Sequence, residues 1–477
     1  MLSPLTRPLH GRSAGSRGAP WIIAAALALS ACAHIPVVDE TQLLKEAQGT
    51  ERIRVYGTHG PLSVRQSRAV LARIAAEAPD ADALQRHLAV EQIVAESPLY
   101  TGNSVRILRD GTETFPAMFD AIAGARHFLY LEYYIFEDVE SGGRRLGDLL
   151  VDRSRAGVRV CVIYDAVGSL DTPAAFFDRL RSAGVQLVQY NPVNPLKAFG
   201  HYAPNMRDHR KILVADDAVA IVGGVNLSTD YESGLTSGGG PRRSDSADEV
   251  WHDIDVEIRG PVVHELTELF REHWREQTGS PLAAEESPDD APASGKEIVR
   301  ILGSSPKKLA SRYYVSVLTA IRTAQSSIWI TAAYFVPTRQ ELRSLEAAAR
   351  RGVDVRILLP SRSDIGFILS LQRSYYPRLL RAGIKLYERE DGFVHSKSVV
   401  VDDVWSLVGS SNFDQRSVLF NDEVDAVMLG NSTAGQLRQV LEHDIAHAQR
   451  IGWQQVHEEG ALERLKGRFW RLWEKLL

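Results

Sequence analysis

Short apolar runs alternate with amphipathic stretches along most of this chain, an alternation typical of an α/β protein. In the amphipathic stretches apolar residues recur every three or four positions, which predicts helices, whereas the short Val- and Ile-rich runs predict buried strands. In the first half the predicted strands are 105–108, 127–136, 158–163 and 185–190, and the predicted helices are 114–125, 146–156 and 174–183. The pattern therefore predicts a sheet with helices packed on its faces.

The second half of the chain repeats this order. Gly352-Val-Asp-Val-Arg-Ile357 parallels Gly157-Val-Arg-Val-Cys-Val162, and Ala382-Gly-Ile-Lys-Leu386 parallels Ala183-Gly-Val-Gln-Leu187. With 477 residues and 44% hydrophobic content, the chain can bury two cores of ordinary domain size. We therefore expect a duplicated domain.

An apolar run from Trp21 to Leu29 follows three arginines and ends at Leu29-Ser-Ala-Cys32. A charged segment, a short apolar segment and small residues before a cleavage point are typical of an export signal, and the run is too short to span a membrane comfortably. Leu-Ser-Ala-Cys resembles the bacterial lipobox, which implies cleavage before Cys32 and lipidation of its thiol. The alternatives are an uncleaved amino-terminal anchor and a chance cysteine in an alanine-rich signal. In each case we expect the protein in the cell envelope, facing the periplasm.

These features divide the chain into five segments. A predicted helical stretch at 63–96 is expected to pack on the first domain, and a Gly-rich insert at 233–249 interrupts only the first copy of the repeat. The expected segments are a lipoprotein signal peptide at 1–31, a linker and helical extension at 32–100, a first domain at 101–277, a Pro- and acid-rich linker at 278–296, and a second domain at 297–477.

Net charge and cysteine content limit the partners and the chemistry that the chain can have. The formal net charge is −5, and removal of the signal arginines makes the remaining chain more acidic. Broad nucleic-acid binding needs a clustered basic footprint, so we expect no nucleic-acid partner. Apart from Cys32 the only cysteine is Cys161, which lies in a predicted buried strand and is interpreted as a core thiol.

The chain contains the same chemical motif twice. His209-Arg-Lys211 leads through an apolar run to Asp216, and His395-Ser-Lys397 leads through a similar run to Asp402. Side chains two positions apart on a strand share a face, so imidazole and ammonium point together at one target, and that pairing suits an anion. The copies continue in step to Gly223-Gly-Val-Asn226 and Gly409-Ser-Ser-Asn412.

With these motifs, and with Asn205-Met-Arg207, Tyr334-Phe-Val-Pro337 and Asn421-Asp-Glu423, the chain from about residue 101 onwards resembles the phospholipase D superfamily, and within it most resembles the bacterial cardiolipin synthases. The resemblance implies two phospholipase D-like α/β domains, each a mixed sheet flanked by helices, related by a pseudo-two-fold axis with one active site at their interface. It also implies a phosphohistidine intermediate and no cofactor.

The residues themselves fit displacement at a phosphodiester. Lys211, Lys397, Asn226 and Asn412 are suited to stabilise the charge that builds on the phosphoryl oxygens. A neutral imidazole can attack phosphorus while a protonated one donates to the departing alcohol. The residues leave open which histidine attacks, and the resemblance favours His209. We expect no metal, because an ammonium group cannot be a ligand.

The carboxylates have different expected roles. By resemblance, Glu423 orients His395 and Asp253 orients His209. Asp216 and Asp402 end buried strands at turns and are interpreted as structural. Three further candidates are weaker: Glu132 is a possible site carboxylate, and His443 and His447, four apart on a predicted helix, are better explained as a surface pair than as zinc ligands.

The carboxyl terminus contains a basic amphipathic helix. Its apolar positions Leu462, Leu465, Phe469, Leu472 and Leu476 recur at helical spacing, with Trp470 and Trp473 nearby. Such a helix can lie in a lipid interface, and packing on the second domain is the alternative.

These observations favour a phosphatidyltransferase that acts on phospholipid membranes, with phosphatidylglycerol as the expected substrate and cardiolipin as the product. A phospholipase D that passes the same intermediate to water is one alternative, and a nuclease-type phosphodiesterase is another. A binding protein that has lost its chemistry is disfavoured, because both motifs are intact. The sequence leaves the oligomeric state open.

Overall fold

The structure is a computed structural model that describes residue 35 and residues 55–77, 80–94, 97–194, 203, 205–232, 251–282, 293–307, 311–363, 365–458 and 460–471. Several predicted features lie outside the described residues: Cys32 and the predicted signal peptide, the insert at 233–249, most of the linker at 278–296 and the last six residues. In the described part of the chain, none of the helices combines the length and the apolar character needed to cross a membrane.

The first half of the chain builds a mixed sheet. Its strands are β1 (Val55–Gly57), β2 (Gly60–Pro61), β3 (Leu99–Arg109), β4 (Phe128–Tyr133), β5 (Glu140–Ser141), β6 (Arg144–Arg145), β7 (Arg159–Asp165), β8 (Gln186–Tyr190), β9 (Arg207–Asp208), β10 (Lys211–Ala215), β11 (Val219–Gly223), β12 (Trp251–His252) and β13 (Ile254–Arg259). The main sheet has the order β8, β7, β4, β10, β11, β13, β3, in which β8, β7 and β4 are parallel and the later pairs antiparallel.

The second half builds the same sheet again. Its strands are β14 (Glu297–Ser304), β15 (Ser327–Ala332), β16 (Asp354–Pro360), β17 (Lys385–Arg389), β18 (Phe393–Val394), β19 (Lys397–Val401), β20 (Trp405–Gly409), β21 (Asn421–Leu429) and β22 (Ala448–Ile451). The order β17, β16, β15, β19, β20, β21, β14 matches the first half strand for strand. This match confirms the predicted duplication. Because β3 and β14 pair antiparallel, the two halves form one continuous sheet.

Helices cover both faces of this sheet. They are α1 (Val64–Glu77), α2 (Ala81–Val94), α3 (Asp110–Gly124), α4 (Leu146–Arg155), α5 (Ala174–Ser182), α6 (Val263–Thr278), α7 (Arg312–Thr323), α8 (Arg339–Arg350), α9 (Gly366–Arg373), α10 (Tyr376–Arg381), α11 (Gln415–Leu419), α12 (Asn431–Ala446), α13 (Trp453–Glu458) and α14 (Ala461–Trp470). Each half has a core on one face of its sheet, and a third core, which includes residues of α6 and α12, combines strand residues from both halves.

The helical extension before the first domain packs on the second half, so the prediction that it packs on the first domain is wrong. Leu84 and Leu88 of α2 belong to the core of the second half. Glu91 is buried, its Oε2 accepts a hydrogen bond from Arg300 Nη1 over 2.9 Å, and its Oε1 accepts one from Trp405 Nε1 over 3.0 Å. Helical spacing predicts an apolar face but does not say which surface covers it. Here a buried carboxylate that needs partners decides between the two surfaces.

Candidate active site

Both His-x-Lys motifs lie at the same place in their halves. Strand β10 runs antiparallel to β4 with Lys211 opposite Tyr133, and β19 runs antiparallel to β15 with Lys397 opposite Ala332. Each motif therefore begins at the carboxyl end of a central parallel strand, an edge where α/β proteins commonly bind ligands. The apolar residues that follow each lysine are buried in the sheet, which fixes the direction of the lysine side chains.

Each motif is held in place by the opposite half of the chain. Strand β9, just before His209, pairs parallel with the start of β21, and β18, just before His395, pairs parallel with β12. The His209 amide donates to the Asp422 carbonyl over 2.9 Å, and the His395 amide donates to the His252 carbonyl over 2.8 Å. This exchange of short strands, in which each half pairs with the segment before the other half's histidine, brings the two motifs into one site.

The same exchange decides which carboxylate orients which histidine. His209 Nδ1 lies 3.0 Å from Glu423 Oε2, and His395 Nδ1 lies 2.7 Å from Asp253 Oδ2. The pairing taken from the resemblance was the reverse and is wrong. Each carboxylate directly follows the two residues that pair with the strand before the other copy's histidine. In this geometry Nδ1–H of each imidazole donates to its carboxylate, so that Nε2 carries the lone pair. Nε2 of His395 also lies 3.1 Å from Lys397 Nζ.

Further contacts fix both carboxylates. Ser410 Oγ donates to Glu423 Oε2 over 2.5 Å, and the Ile254 amide donates to Asp253 Oδ1 over 2.8 Å. Burial raises the pKa of both carboxyl groups, but the facing cations outweigh it. The net result is a lowered pKa for Asp253, beside Lys397 and His395, and for Glu423, beside His209. Both groups therefore stay ionised and can orient an imidazole.

The two lysines and the two histidines lie together in one site that is largely shielded from solvent. Lys211 Nζ donates to the His209 carbonyl over 2.8 Å, and Lys397 Nζ lies 2.9 Å from His395 Nδ1. Burial, together with Lys397, lowers the pKa of Lys211 to about 7. Burial also lowers the pKa of each histidine to about 4, so both imidazoles are neutral at pH 7 before an anion binds. A bound phosphodiester would favour protonation of one of them.

The glycines after each motif leave room for buried aspartates. A Cβ on Gly223 would lie 2.2 Å from Asp255 Oδ1, and one on Gly409 would lie 2.0 Å from Asp425 Oδ1, so only glycine fits at either position. Burial raises the pKa of Asp425 to about 8. The aspartates accept backbone hydrogen bonds from Val225 and Ser411, in the turns that lead to the predicted asparagines.

The two asparagines differ in their contacts. Asn226 Oδ1 accepts a hydrogen bond from the Ile135 amide over 3.3 Å, so part of its side chain holds the end of β4. Asn412 is buried, and its Oδ1 has no hydrogen-bond partner among the described residues. The structure therefore gives the two asparagines different surroundings.

The motif aspartates Asp216 and Asp402 hold the backbone that precedes β4 and β15. Asp216 accepts hydrogen bonds from the amides of residues 126, 127 and 128 over 2.6 to 2.8 Å. Asp402 Oδ1 accepts from the Ser326 amide over 2.7 Å, and its Oδ2 lies 3.3 Å from His87 Nε2. Both aspartates adopt φ near +55°, which Asp tolerates in turns. These contacts lie at the opposite end of the strands from the lysines.

Glu132 lies beneath the site in a buried cluster that the sequence did not reveal, because its members come from β4, β9 and α6. Within the described chain, Glu132, Asp208 and His273 form a group that could hold a metal ion, with donor atoms within 4.8 Å of one another. Arg210 Nη1 donates to Glu132 Oε1 over 3.0 Å, and His273 Nδ1 lies 2.8 Å from the same oxygen. The guanidinium already supplies positive charge there, so we interpret the cluster as support for the His209 segment.

Tyr231 is a site residue that the sequence reasoning missed. Its Oη lies 2.9 Å from His395 Nδ1 and donates to Asp253 Oδ2 over 3.3 Å. The equivalent position in the second copy is Ser417, so comparison of the repeats could not find it. The predicted surface pair lies elsewhere. His443 and His447 are exposed on and just after α12, with His447 Nδ1 2.8 Å from the His443 carbonyl.

Comparisons with known proteins agree with this geometry. A family model described as cardiolipin synthase, PLD-like domain, matches residues 118–237 and 317–445. A cardiolipin synthase of Geobacillus thermodenitrificans is 34% identical over 396 residues, which cover 82% of this chain and 75% of that protein. Cardiolipin synthase A of Pseudomonas putida is 34% identical over 382 residues, with 80% and 76% covered. The crystal structure of phosphatidylserine synthase from Haemophilus influenzae superposes with a TM-score of 0.60 at 13% identity, covering 83% of this chain and all of that one.

Proposed function

Because this chain belongs to the cardiolipin synthase family of phospholipase D-like proteins, we propose that it transfers a phosphatidyl group from one phosphatidylglycerol to another, giving cardiolipin and glycerol. The observation that supports this most directly is the pair of crossed dyads, His209 with Glu423 and His395 with Asp253, around two buried lysines. The alternative acceptor is water, which would make the protein a phospholipase D.

The proposed reaction has two steps. In the first, Nε2 of one imidazole attacks phosphorus, the bond to glycerol breaks, and the other histidine donates a proton to the departing oxygen. In the second, that histidine takes a proton from a hydroxyl of the next phosphatidylglycerol, whose oxygen displaces the first imidazole. Lys211 and Lys397 stabilise the charge on the phosphoryl oxygens. We take His209 as the nucleophile, as the resemblance favours.

Product analysis tests this function. Purified protein is incubated with vesicles of phosphatidylglycerol labelled in its acyl chains, and cardiolipin is separated from phosphatidic acid. Cardiolipin with equimolar glycerol is the expected result. Phosphatidic acid as the main product would establish hydrolysis instead, and release of neither product would refute the proposal. The His395→Ala variant is the blank.

We also propose that the protein is anchored in the cell envelope through acylated Cys32. Support comes from the lipobox-like Leu29-Ser-Ala-Cys32 and from the substrate, which resides in membranes. Metabolic labelling with a radioactive fatty acid should mark the wild-type chain and not Cys32→Ser, which should accumulate as a larger precursor. Equal labelling of both chains would rule out Cys32 as the acylation site.

A further inference from the structure

Helix α14 docks on α9 through one face. The rings of Trp470 and Phe367 are 4.8 Å apart, and Ser370 Oγ donates to Glu463 Oε2 over 3.0 Å. The helices meet closely at Gly467, where a Cβ would lie 2.5 Å from the Ser370 carbonyl oxygen. Trp470 is therefore a packing residue that holds the helix on the second half of the protein.

The opposite face of α14 is apolar and exposed. Leu465 is 62% exposed and Phe469 is 53% exposed. They are one helical turn apart, and at about 100° per residue they lie opposite Gly467 and Trp470. An isolated exposed leucine needs no explanation, but two large apolar side chains on the outer face of a docked helix form a stripe.

Basic side chains border this stripe. Lys466 and Arg468 are exposed on its two sides, and Lys466 Nζ also donates to Glu463 over 2.6 Å. Over residues 461–477 the sequence has five Lys and Arg against two Glu, in a chain with a net charge of −5. The segment therefore carries excess positive charge, and two of its basic side chains, Lys466 and Arg468, border the apolar stripe.

Helix α14 packs on α9, which begins near the end of the sheet that bears the second His-x-Lys motif. Its partner α9 follows the carboxyl end of β16 and is tied to it, because Gln372 Nε2 donates to the Pro360 carbonyl over 3.2 Å. Ile365, just before α9, is also exposed. In the first half the exposed apolar residues Val167, Leu170 and Val193 follow β7 and β8, at the edge that bears His209.

We propose that the outer face of α14, centred on Leu465 and Phe469, is a membrane-docking surface that lies on an anionic phospholipid bilayer. The proposal rests on the proposed function, which places the substrate in such a bilayer. An apolar stripe with basic borders is complementary to acyl chains beneath anionic head groups. Docking at this edge holds the histidine-bearing end of the second half near the lipid surface, whereas an acyl chain alone would leave the orientation free.

The polarity around residue 465, measured with a fluorescent label, tests the docking directly. Leu465→Cys in the full chain, with Cys32→Ser and Cys161→Ser so that it holds one thiol, is labelled with an environment-sensitive fluorophore and mixed with phosphatidylglycerol vesicles. We expect a blue shift of the emission and quenching by brominated acyl chains, and neither change with phosphatidylcholine vesicles or with a label at exposed Val64. An unshifted emission at 465 with anionic vesicles would overturn the proposal, as would an equal shift at 64.

A matched pair of variants separates docking from packing and from the chemistry. Leu465→Ser with Phe469→Ser should raise the apparent KM for phosphatidylglycerol in vesicles about tenfold, with the rate on dispersed short-chain phosphatidylglycerol and the melting temperature unchanged. Trp470→Ser should instead lower the melting temperature. An unchanged vesicle KM in the double variant would refute the docking surface. Wild-type protein inactive on both forms of the lipid would refute the proposed function while the fluorescence still tests docking.

Discussion

Asp253 Oδ2 lies 2.7 Å from His395 Nδ1, although the two residues are 142 positions apart and belong to different copies of the repeat. His209 and Glu423 are related in the same way across 214 positions. Neither copy contains both a motif histidine and the carboxylate that orients it. The two copies therefore form one shared site rather than two separate sites.

Asp253→Asn should lower kcat about 10³-fold with little change in KM, because the amide no longer fixes the tautomer of His395. Nitrogen NMR of the histidine rings should show the Nδ1 signal of His395 moving in Asp253→Asn and staying in place in Glu423→Gln. The reverse response would mean that each carboxylate orients the histidine of its own copy, contrary to the structure.

His209→Ala and His395→Ala should each abolish turnover while the protein stays folded, because the single site uses both imidazoles. Rapid quenching of the wild-type enzyme with labelled lipid should trap an acid-labile, alkali-stable phosphohistidine. We expect the label in the peptide that contains His209. Label in the peptide of His395 would exchange the two roles, and full turnover by either folded variant would contradict a shared site.

The rate at low substrate should fall as pH rises above about 7, because Lys211 loses its proton there and no longer attracts the phosphodiester. Lys211→Arg should move this decline to higher pH, since a guanidinium keeps its proton. The measurement is kcat/KM on dispersed short-chain phosphatidylglycerol between pH 5 and pH 10. A decline unchanged in Lys211→Arg would assign it to another group.

Asp402→Asn should reduce stability by about 2 to 3 kcal/mol, because backbone amides before β15 lose a charged acceptor. Burial raises the pKa of Asp402, but the bonds from His87 and from these amides outweigh it and leave the pKa lowered. The contribution is thus present above the ordinary carboxyl pKa and is lost as pH falls through the lowered one. Thermal melts at pH 7 measure the loss, and a variant with unchanged melting temperature but no activity would place Asp402 in the chemistry.

EDTA should leave the rate nearly unchanged, because the proposed mechanism assigns charge stabilisation to Lys211 and Lys397. The rate is compared before and after dialysis against chelator. Complete loss that one metal ion restores would contradict this and direct attention to Glu132, Asp208 and His273, the cluster beneath His209.

Much of the fold follows from sequence patterns, since the apolar runs and the repeat gave the strands and their duplication. Strand β3 was predicted only in part. The sequence predicts it at 105–108, but it spans Leu99–Arg109, because its early residues pair with β14 of the other half. Hydrophobic periodicity shows that a segment is buried, but it does not show which elements pack against that segment. The same limit explains the misplaced extension.

In the site, the residues proposed to act on the phosphate could be predicted because they occur in both copies of the repeat. Their arrangement was not visible, because β9 and β18 cross to the opposite half through two-residue pairings too short to leave a pattern. Tyr231 could not be predicted as a site residue for a related reason. It occurs in one copy only, and its contact with His395 depends on the fold of both.

Because each histidine is oriented by a carboxylate from the other half, the site cannot form until both halves have been synthesised. When the ribosome has released the first half, Asp253 is present but His395 is not, and His209 has no carboxylate until Glu423 emerges 214 residues later. Contacts between such distant positions form late, after the local helices and hairpins. A partly made chain therefore contains no working pair of imidazoles, and the ability to cleave phospholipid appears only when both halves have been translated and have closed on each other.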